Sequence, residues 1–420
     1  MRKIYWMTAL LAVIAITSCK RNLFDAEQTK KALELTFHND VVDPQHTWTL
    51  MNDQVITVTA NVANVVRIEL LSANPYAPND NDVELLAQRE ASEGDQVTMN
   101  YDIPVANDSV YVAAVTESGT YTVVAVKQGR GTVDFSTLNT TNTGQLTSPS
   151  TQNVFYCYCN SYPMPSTTWG FNDLVMKLSK EVVDNSTLRV NVTLVALGST
   201  NQMAGALRLH GVSQDEIESV TIHRGTFAKY TSSQRLLIKD EELLLKGQDG
   251  SAVINLFDDA HMAFFVRTSD NGSVNRYMIN VSHTSDLQHM EFSPVTVSYD
   301  IKFKQPYMPY SIGFSKLDPF ILYYYNSNIW EIHKYAYKFK ETLYSYYSDS
   351  PKSYDNGFSW VIEIPYSWFR YPLIGNSMGS YKNGAIYGSY QQPHHSFGEW
   401  GSDHTTATDW YLYPTANSVY

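Results

Sequence analysis

The sequence predicts an all-β protein with two sandwich domains, an N-terminal immunoglobulin-like β-sandwich followed by a larger, jelly-roll-like one. Three observations carry that expectation. Alternating apolar and polar residues recur along much of the chain, the period of a strand with one buried face. The 30 Tyr, 17 Phe and 8 Trp supply side chains that suit a pleated surface. At 420 residues and 43% hydrophobic the chain can fill two cores, on a usual size of ~100–200 residues per domain.

In chain order, residues 1–18 read as a signal peptide: Met1-Arg2-Lys3 gives a positive start, and the apolar run 4–16 is interrupted only by Thr8. That run is too short to span a bilayer as a stable helix. It ends in Ile16-Thr17-Ser18-Cys19, which resembles the lipobox of bacterial lipoproteins. The resemblance implies a diacylglyceryl group on the Cys19 sulfur, and each buried methylene of such an anchor contributes about 0.8 kcal/mol. Residues 19–46 are polar and charge-broken, and read as a lipidated tether. Asp43-Pro44-Gln45-His46-Thr47-Trp48 is similar to the Asp-Pro-Asn-x-x-Trp opening that follows the tether in many envelope lipoproteins of Gram-negative gut anaerobes, so the first domain is placed from 47.

Between 47 and 135 five period-two runs, at 55–60, 65–70, 97–101, 109–113 and 120–126, are separated by turn-forming Asn, Pro, Asp, Ser and Gly. Strands at this spacing suit an immunoglobulin-like module, although the Cys-Trp-Cys pattern is missing. Residues 136–153 are nearly all Ser, Thr, Asn, Gln, Gly and Pro, which predicts a linker between two independently folded modules. From 154 to 420 the clearest strands are 188–195, 220–223, 252–257 and 295–301. Ser213 and Glu216 have the spacing of a capping box around one short helical turn.

Within this second region Phe171-Asn172-Asp173-Leu174-Val175 resembles the strand-opening signature Asp-Tyr-Asp-Phe-Asn-Asp-Leu-Val of the LruC family of bacterial envelope proteins. The likeness continues, in order, through Gln202-Met203-Ala204-Gly205-Ala206, the run Ala252 to His261, Leu317-Asp318-Pro319-Phe320-Ile321 and Glu331-Ile332-His333. It is completed by Phe358-Ser359-Trp360-Val361-Ile362-Glu363-Ile364-Pro365, Arg370-Tyr371-Pro372-Leu373 and Asp409-Trp410-Tyr411, so it covers roughly 154–420. The resemblance implies a lipid-anchored or exported β-sandwich of uncharacterised activity.

The family's first two aspartates correspond to Thr168 and Gly170 here. An Asp-x-Asp-x-x-Asp loop could hold calcium, which takes 6–8 oxygen ligands. With two of those carboxylates missing, Asn172 and Asp173 are read as Asx-turn formers at a strand start, with a ligand role as the alternative. No metal and no cofactor is expected. Cys157 and Cys159 lie two apart, so they either pack as buried thiols, the favoured reading, or form a strained bridge. Gly375-Asn376-Ser377-Met378-Gly379 matches the hydrolase elbow pattern, with Asp403 and His404 following, but it lacks the flanking strand and helix and reads as a loop. His394, His395, Glu399, Asp403 and His404 have no ligand spacing that fixes a metal geometry and read as solvated polar residues. Consecutive aromatics such as Tyr323-Tyr324-Tyr325 must turn at least one ring outward from an extended chain.

A net charge of −12 argues against nucleic acid as a partner. No catalytic residue is assigned. The expected function is that of a non-catalytic cell-envelope lipoprotein, held to the outer membrane by its N-terminal lipid and facing either the periplasm or the surface. It would serve in adhesion or in binding a protein or glycan ligand. The rivals are a glycan-active enzyme, which would need two carboxylates about 5–10 Å apart, and a structural subunit that donates a strand.

Overall fold

The computed structural model describes residues 42–77, 83–138, 142–146, 148–159, 170–226, 237–238, 242–264, 276–284, 288–325, 328–335, 342–343, 347–349, 359–376, 378 and 393–420. Within them strands arranged in sheets are the dominant regular structure and helix is scarce, an all-β sandwich fold. Cys19 and the signal peptide lie outside the described residues.

The first sandwich uses β1 Met51–Thr59, β2 Val65–Leu71, β3 Glu84–Glu90, β4 Gln96–Pro104, β5 Ser109–Thr116, β6 Thr120–Lys127, β7 Thr132–Asp134, β8 Asn142–Gln145 and β9 Ser150–Thr151. One sheet has the order β4-β1-β7 and the other β8-β6-β5-β2-β3-β9. Alternation does its work here: Ile56 and Val58 from one sheet meet Ile68, Leu70, Val110 and Val112 from the other, all fully buried. The five expected strands are present. β3 was not expected, because Glu84-Leu85-Leu86-Ala87-Gln88-Arg89-Glu90 is built of helix formers; pairing with β2 overrides that propensity.

The segment read as a linker is partly ordered into this sandwich. β8 pairs with β6, and β9 pairs in parallel with β3. Polar residues suffice because both are short edge strands with little to bury.

The second sandwich comprises β10 Asn153–Tyr158, β11 Leu174–Val182, β12 Thr187–Ala196, β13 Met203–Ser213, β14 Ile217–Arg224, β15 Leu244–Lys246, β16 Ser251–Phe257, β17 Met278–Ile279, β18 His289–Met290, β19 Val295–Phe303, β20 Leu317–Tyr325, β21 Asn328–Ile332, β22 Tyr347–Asp349 and β23 Val361–Ile364. Two six-stranded sheets, β14-β19-β12-β11-β10-β23 and β15-β16-β13-β20-β21-β22, enclose the largest apolar core. Two tyrosine hydroxyls stitch strands of one sheet to strands of the other: Tyr299 donates to Leu256 O at 2.7 Å and Tyr158 to Pro319 O. The turn between β13 and β14 carries the capping box expected at Ser213 and Glu216. Among the described residues helix is confined to short pieces, including α1 Ala260–Ala263 and α2 Phe397–Ser402.

Residues 42–50 correct the expected boundaries of tether and first domain. Val42, Trp48 and Leu50 belong to the core of the second sandwich. Trp48 stacks on His46 at 4.1 Å and meets Trp400 edge-on at 5.7 Å. Glu363 N donates to Trp48 O and Leu50 N to Glu363 O, so the segment lies alongside β23. The chain therefore enters through the second sandwich, builds the first from residue 51, and returns at β10. A clamp reinforces this: buried Asp102 of β4 accepts hydrogen bonds from Phe314 N at 2.6 Å and Ser315 N at 3.1 Å. Gly313 permits that approach, since a Cβ there would sit 2.7 Å from Asp102 Oδ2.

Candidate binding cleft

Where the sandwiches meet, a cleft of about 270 Å³ opens. The first sandwich lines it with Arg67 of β2 and with Gln88, Arg89 and Glu90 of β3. The second contributes Val182, Val183, Asp184 and Asn185 from the turn after β11, and Tyr310 from the 3-10 turn Met308–Ser311. The Arg89 guanidinium lies 5.2 Å from the Tyr310 ring and 5.3 Å from that of Tyr307, while donating to Thr98 O at 2.9 Å. Such cation–π contacts fix a charged fork in place without neutralising it.

The second wall is held just as locally. Tyr310 OH donates to Asn185 Oδ1 at 3.2 Å, and Tyr307 N donates to Asn185 O at 2.6 Å. The N–H of Ser186 bonds Asp184 and holds its carboxyl below the usual range. Arg67 is paired with buried Glu69 at 2.6 Å. The wall thus offers donors, acceptors and aromatic surface in fixed positions, which suits binding.

Elsewhere the second sandwich seals charge inside itself. The His333 ring meets Asp318 through Nδ1 at 2.8 Å and Glu331 through Nε2 at 2.9 Å, all three fully buried. A ring facing a carboxylate on each nitrogen donates from both, which is the imidazolium form. Burial alone would lower its pKa; the two carboxylates outweigh burial and raise it. Next to it Lys334 Nζ donates to Glu363 at 2.9 Å and to Phe314 O at 2.7 Å, and Tyr156 OH donates to the same Glu363 oxygen. Asp318, Glu331, His333 and Glu363 all come from the segments that carry the sequence resemblance.

The residues singled out in the sequence are mostly consumed by structure. Asn172 and Asp173 sit buried in a turn whose Phe171 has φ 47°. Gly198 N bonds the carbonyls of both, and Asn172 Nδ2 reaches across to Pro372 O at 2.9 Å. A side chain at 198 would put its Cβ 2.6 Å from Asn172 O. Cys157 and Cys159 are buried, unbridged thiols, and burial pushes the Cys157 thiol up. Tyr323 points inward and Tyr324 is half-buried.

The polar C-terminal residues do not converge. His395 pairs with Asp409 at 2.9 Å, whereas His404 bonds Asp43 through both its main-chain N–H and Nδ1. Among the described residues Asp43, Asp403 and His404 bring ligand atoms within 4.8 Å of one another. Three such groups fall short of the four that close a structural zinc site, and Asp403 is engaged by Thr405. Burial works against ionising Asp43, but hydrogen bonds from His404 and Gln45 hold it at about 2. The arrangement is a latch that pins the lead-in segment. Beside it burial lowers His46 to about 3, so its neutral ring accepts from Trp48 N and donates to Trp400 O. Ser377 and Gly379 lie outside the described residues.

The family described as Domain of unknown function (DUF4842) matches residues 184–411, more than half of the chain. The protein belongs to that family. The match begins inside the turn that lines the cleft and takes in Asp318, Glu331, His333, Lys334 and Glu363 of the buried polar network, with Tyr156 outside it. A search of curated proteins finds no match. Among solved structures, a crystal structure of a candidate lipoprotein from Bacteroides ovatus is similar in fold, with a TM-score of 0.50 at 14% identity over 86% of this chain and 99% of that one. Among the described residues no helix is long and apolar enough to cross a membrane.

Sequence reasoning missed the cleft. Arg67, Arg89 and Asn185 look like ordinary surface residues in the sequence. The one available signal was Tyr307-Met308-Pro309-Tyr310, two aromatics about a proline in a turn.

Proposed function

We propose that this protein is a non-catalytic, LruC-type cell-envelope lipoprotein that binds a protein or glycan ligand at the outer membrane. The observation that carries the reading is the open cleft between the sandwiches, walled by fixed donors, acceptors and aromatic rings. The lipobox at Cys19 supports the anchor, and the fold likeness to a Bacteroides ovatus candidate lipoprotein is consistent with it. The described histidines His261, His333, His395 and His404 are each hydrogen-bonded to carboxylates, and His223 lies 3.7 Å from that of Asp300, which favours a structural use.

One observation favours an enzyme instead: Glu90 and Asp184 line the cleft from different sandwiches, and two carboxylates across a cleft are what glycoside hydrolysis needs. Affinity capture from intact envelopes with the lipidated full-length chain decides between them. A retained ligand recovered unchanged supports the binding reading; a ligand recovered cleaved overturns it. Labelling with a palmitate analogue should mark the wild type and not Cys19→Ala, and equal labelling would remove the anchor from the proposal.

A further inference from the structure

We propose that the cleft between the sandwiches takes a short, uncharged oligosaccharide. This rests on the ligand-binding function above and names its ligand class. The first argument is conformational. Tyr307 has φ 67°, a region that L side chains adopt at a cost and a bulky one rarely. The strain buys no burial, because the residue remains 53% exposed beside the Arg89 and Tyr310 that line the cleft. A second large apolar side chain, Val183, is 42% exposed on the same wall. Only five large apolar residues are that exposed among those described, and these are two of them. Tyr310 lines the cavity itself and Tyr307 stands next to it, 6.3 Å away between ring centroids, and exposed aromatic faces of this kind pack against the C–H face of a sugar ring.

The second argument is electrostatic. Within the lining Arg67 and Arg89 face Glu90 and Asp184, and Glu69 pairs Arg67 from outside the lining, so the cleft has no excess of positive charge to draw an acidic ligand. What it offers is a mixture of charged and amide donors and acceptors, with Gln88 and Asn185 supplying both kinds. Sugar hydroxyls are donor and acceptor at once and are read by such mixtures. The third argument is size. A volume of about 270 Å³ falls just below the usual span of ligand sites, about 300–1,000 Å³; it accommodates one or two sugar rings and not a folded protein segment.

The test is a panel of neutral and acidic oligosaccharides presented to the lipidated full-length protein in detergent, followed by titration calorimetry on the strongest binder. Neutral sugars should bind. Tyr307→Gly should weaken binding at least tenfold with an unchanged or higher melting temperature, because glycine accepts that φ without strain. Gln88→Ala, on the surface of β3, should weaken it several-fold and guards against a misfolded first variant. Binding only to acidic sugars, no sugar binding, or wild-type affinity in both variants overturns the proposal. A protein cross-linked at the cleft in the absence of sugar binding would leave the binding function standing and remove the glycan. Cleavage of a bound neutral sugar would do the reverse, keeping the ligand class and removing the non-catalytic function.

Discussion

The two sandwiches keep their strands together by different means. The first relies on alternation: its core is a set of buried, mostly aliphatic side chains from facing strands, with Arg67–Glu69 as a partly exposed ion pair at its surface. The second has a larger apolar core and, in addition, sealed charges at Asp318–His333–Glu331, Lys334–Glu363 and Asp259–His261, with Arg276 closing on Asp259. The difference teaches where each is fragile. An aliphatic core loses stability in proportion to the volume removed, whereas a buried ion pair loses most when one partner goes and the other is left charged and dry.

The largest effect should therefore come from Glu363→Ala. It strands the Lys334 ammonium and the Tyr156 hydroxyl, and also sits where β23 holds residues 48–50. We expect a loss of about 3–5 kcal/mol in urea unfolding, against about 1 kcal/mol for Ile56→Val in the first sandwich. Equal losses would erase the contrast.

Trp48→Ala tests which sandwich owns the lead-in segment. It should cost about 3 kcal/mol and destabilise the second sandwich, read by hydrogen exchange of β23 and β10 amides. Loss of protection confined to β1 through β7 would assign Trp48 to the first instead.

The pH dependence should separate the sandwiches too. His333 has a raised pKa in the folded state, so its contribution is fully present below the ordinary histidine value of about 6.5 and is lost as pH rises through the folded value. Stability of the second sandwich should fall as pH rises past the ordinary histidine value, and His333→Gln should flatten that fall. An unchanged slope in the variant would rule out His333 as its source.

The smallest effect is expected at the β11 turn. An asparagine amide oxygen at 173 can keep the turn bond that the carboxylate makes, so Asp173→Asn should change stability by only about 1 kcal/mol. Melting should be the same in chelator as in millimolar calcium. An upward shift with calcium that vanishes in Asp173→Asn would restore an ion to this turn.

The sequence by itself determined the all-β class, most long strands and the capping box at Ser213, because alternation and capping are written in neighbouring residues. It also supplied Asp318, Glu331, His333 and Glu363 of the buried network, as members of segments whose purpose it could not show. Only the tertiary structure decided that Asp318, Glu331, His333 and Glu363 meet, that Asp43 finds His404 across 361 residues of chain, and that polar residues 142–145 form an edge strand. It alone decided that Trp48 fills the second core while β1 opens the first. The cleft is the clearest case. Arg89 and Tyr310 are separated by a whole β topology, and contacts of that kind arise from how sheets stack, which no local period records.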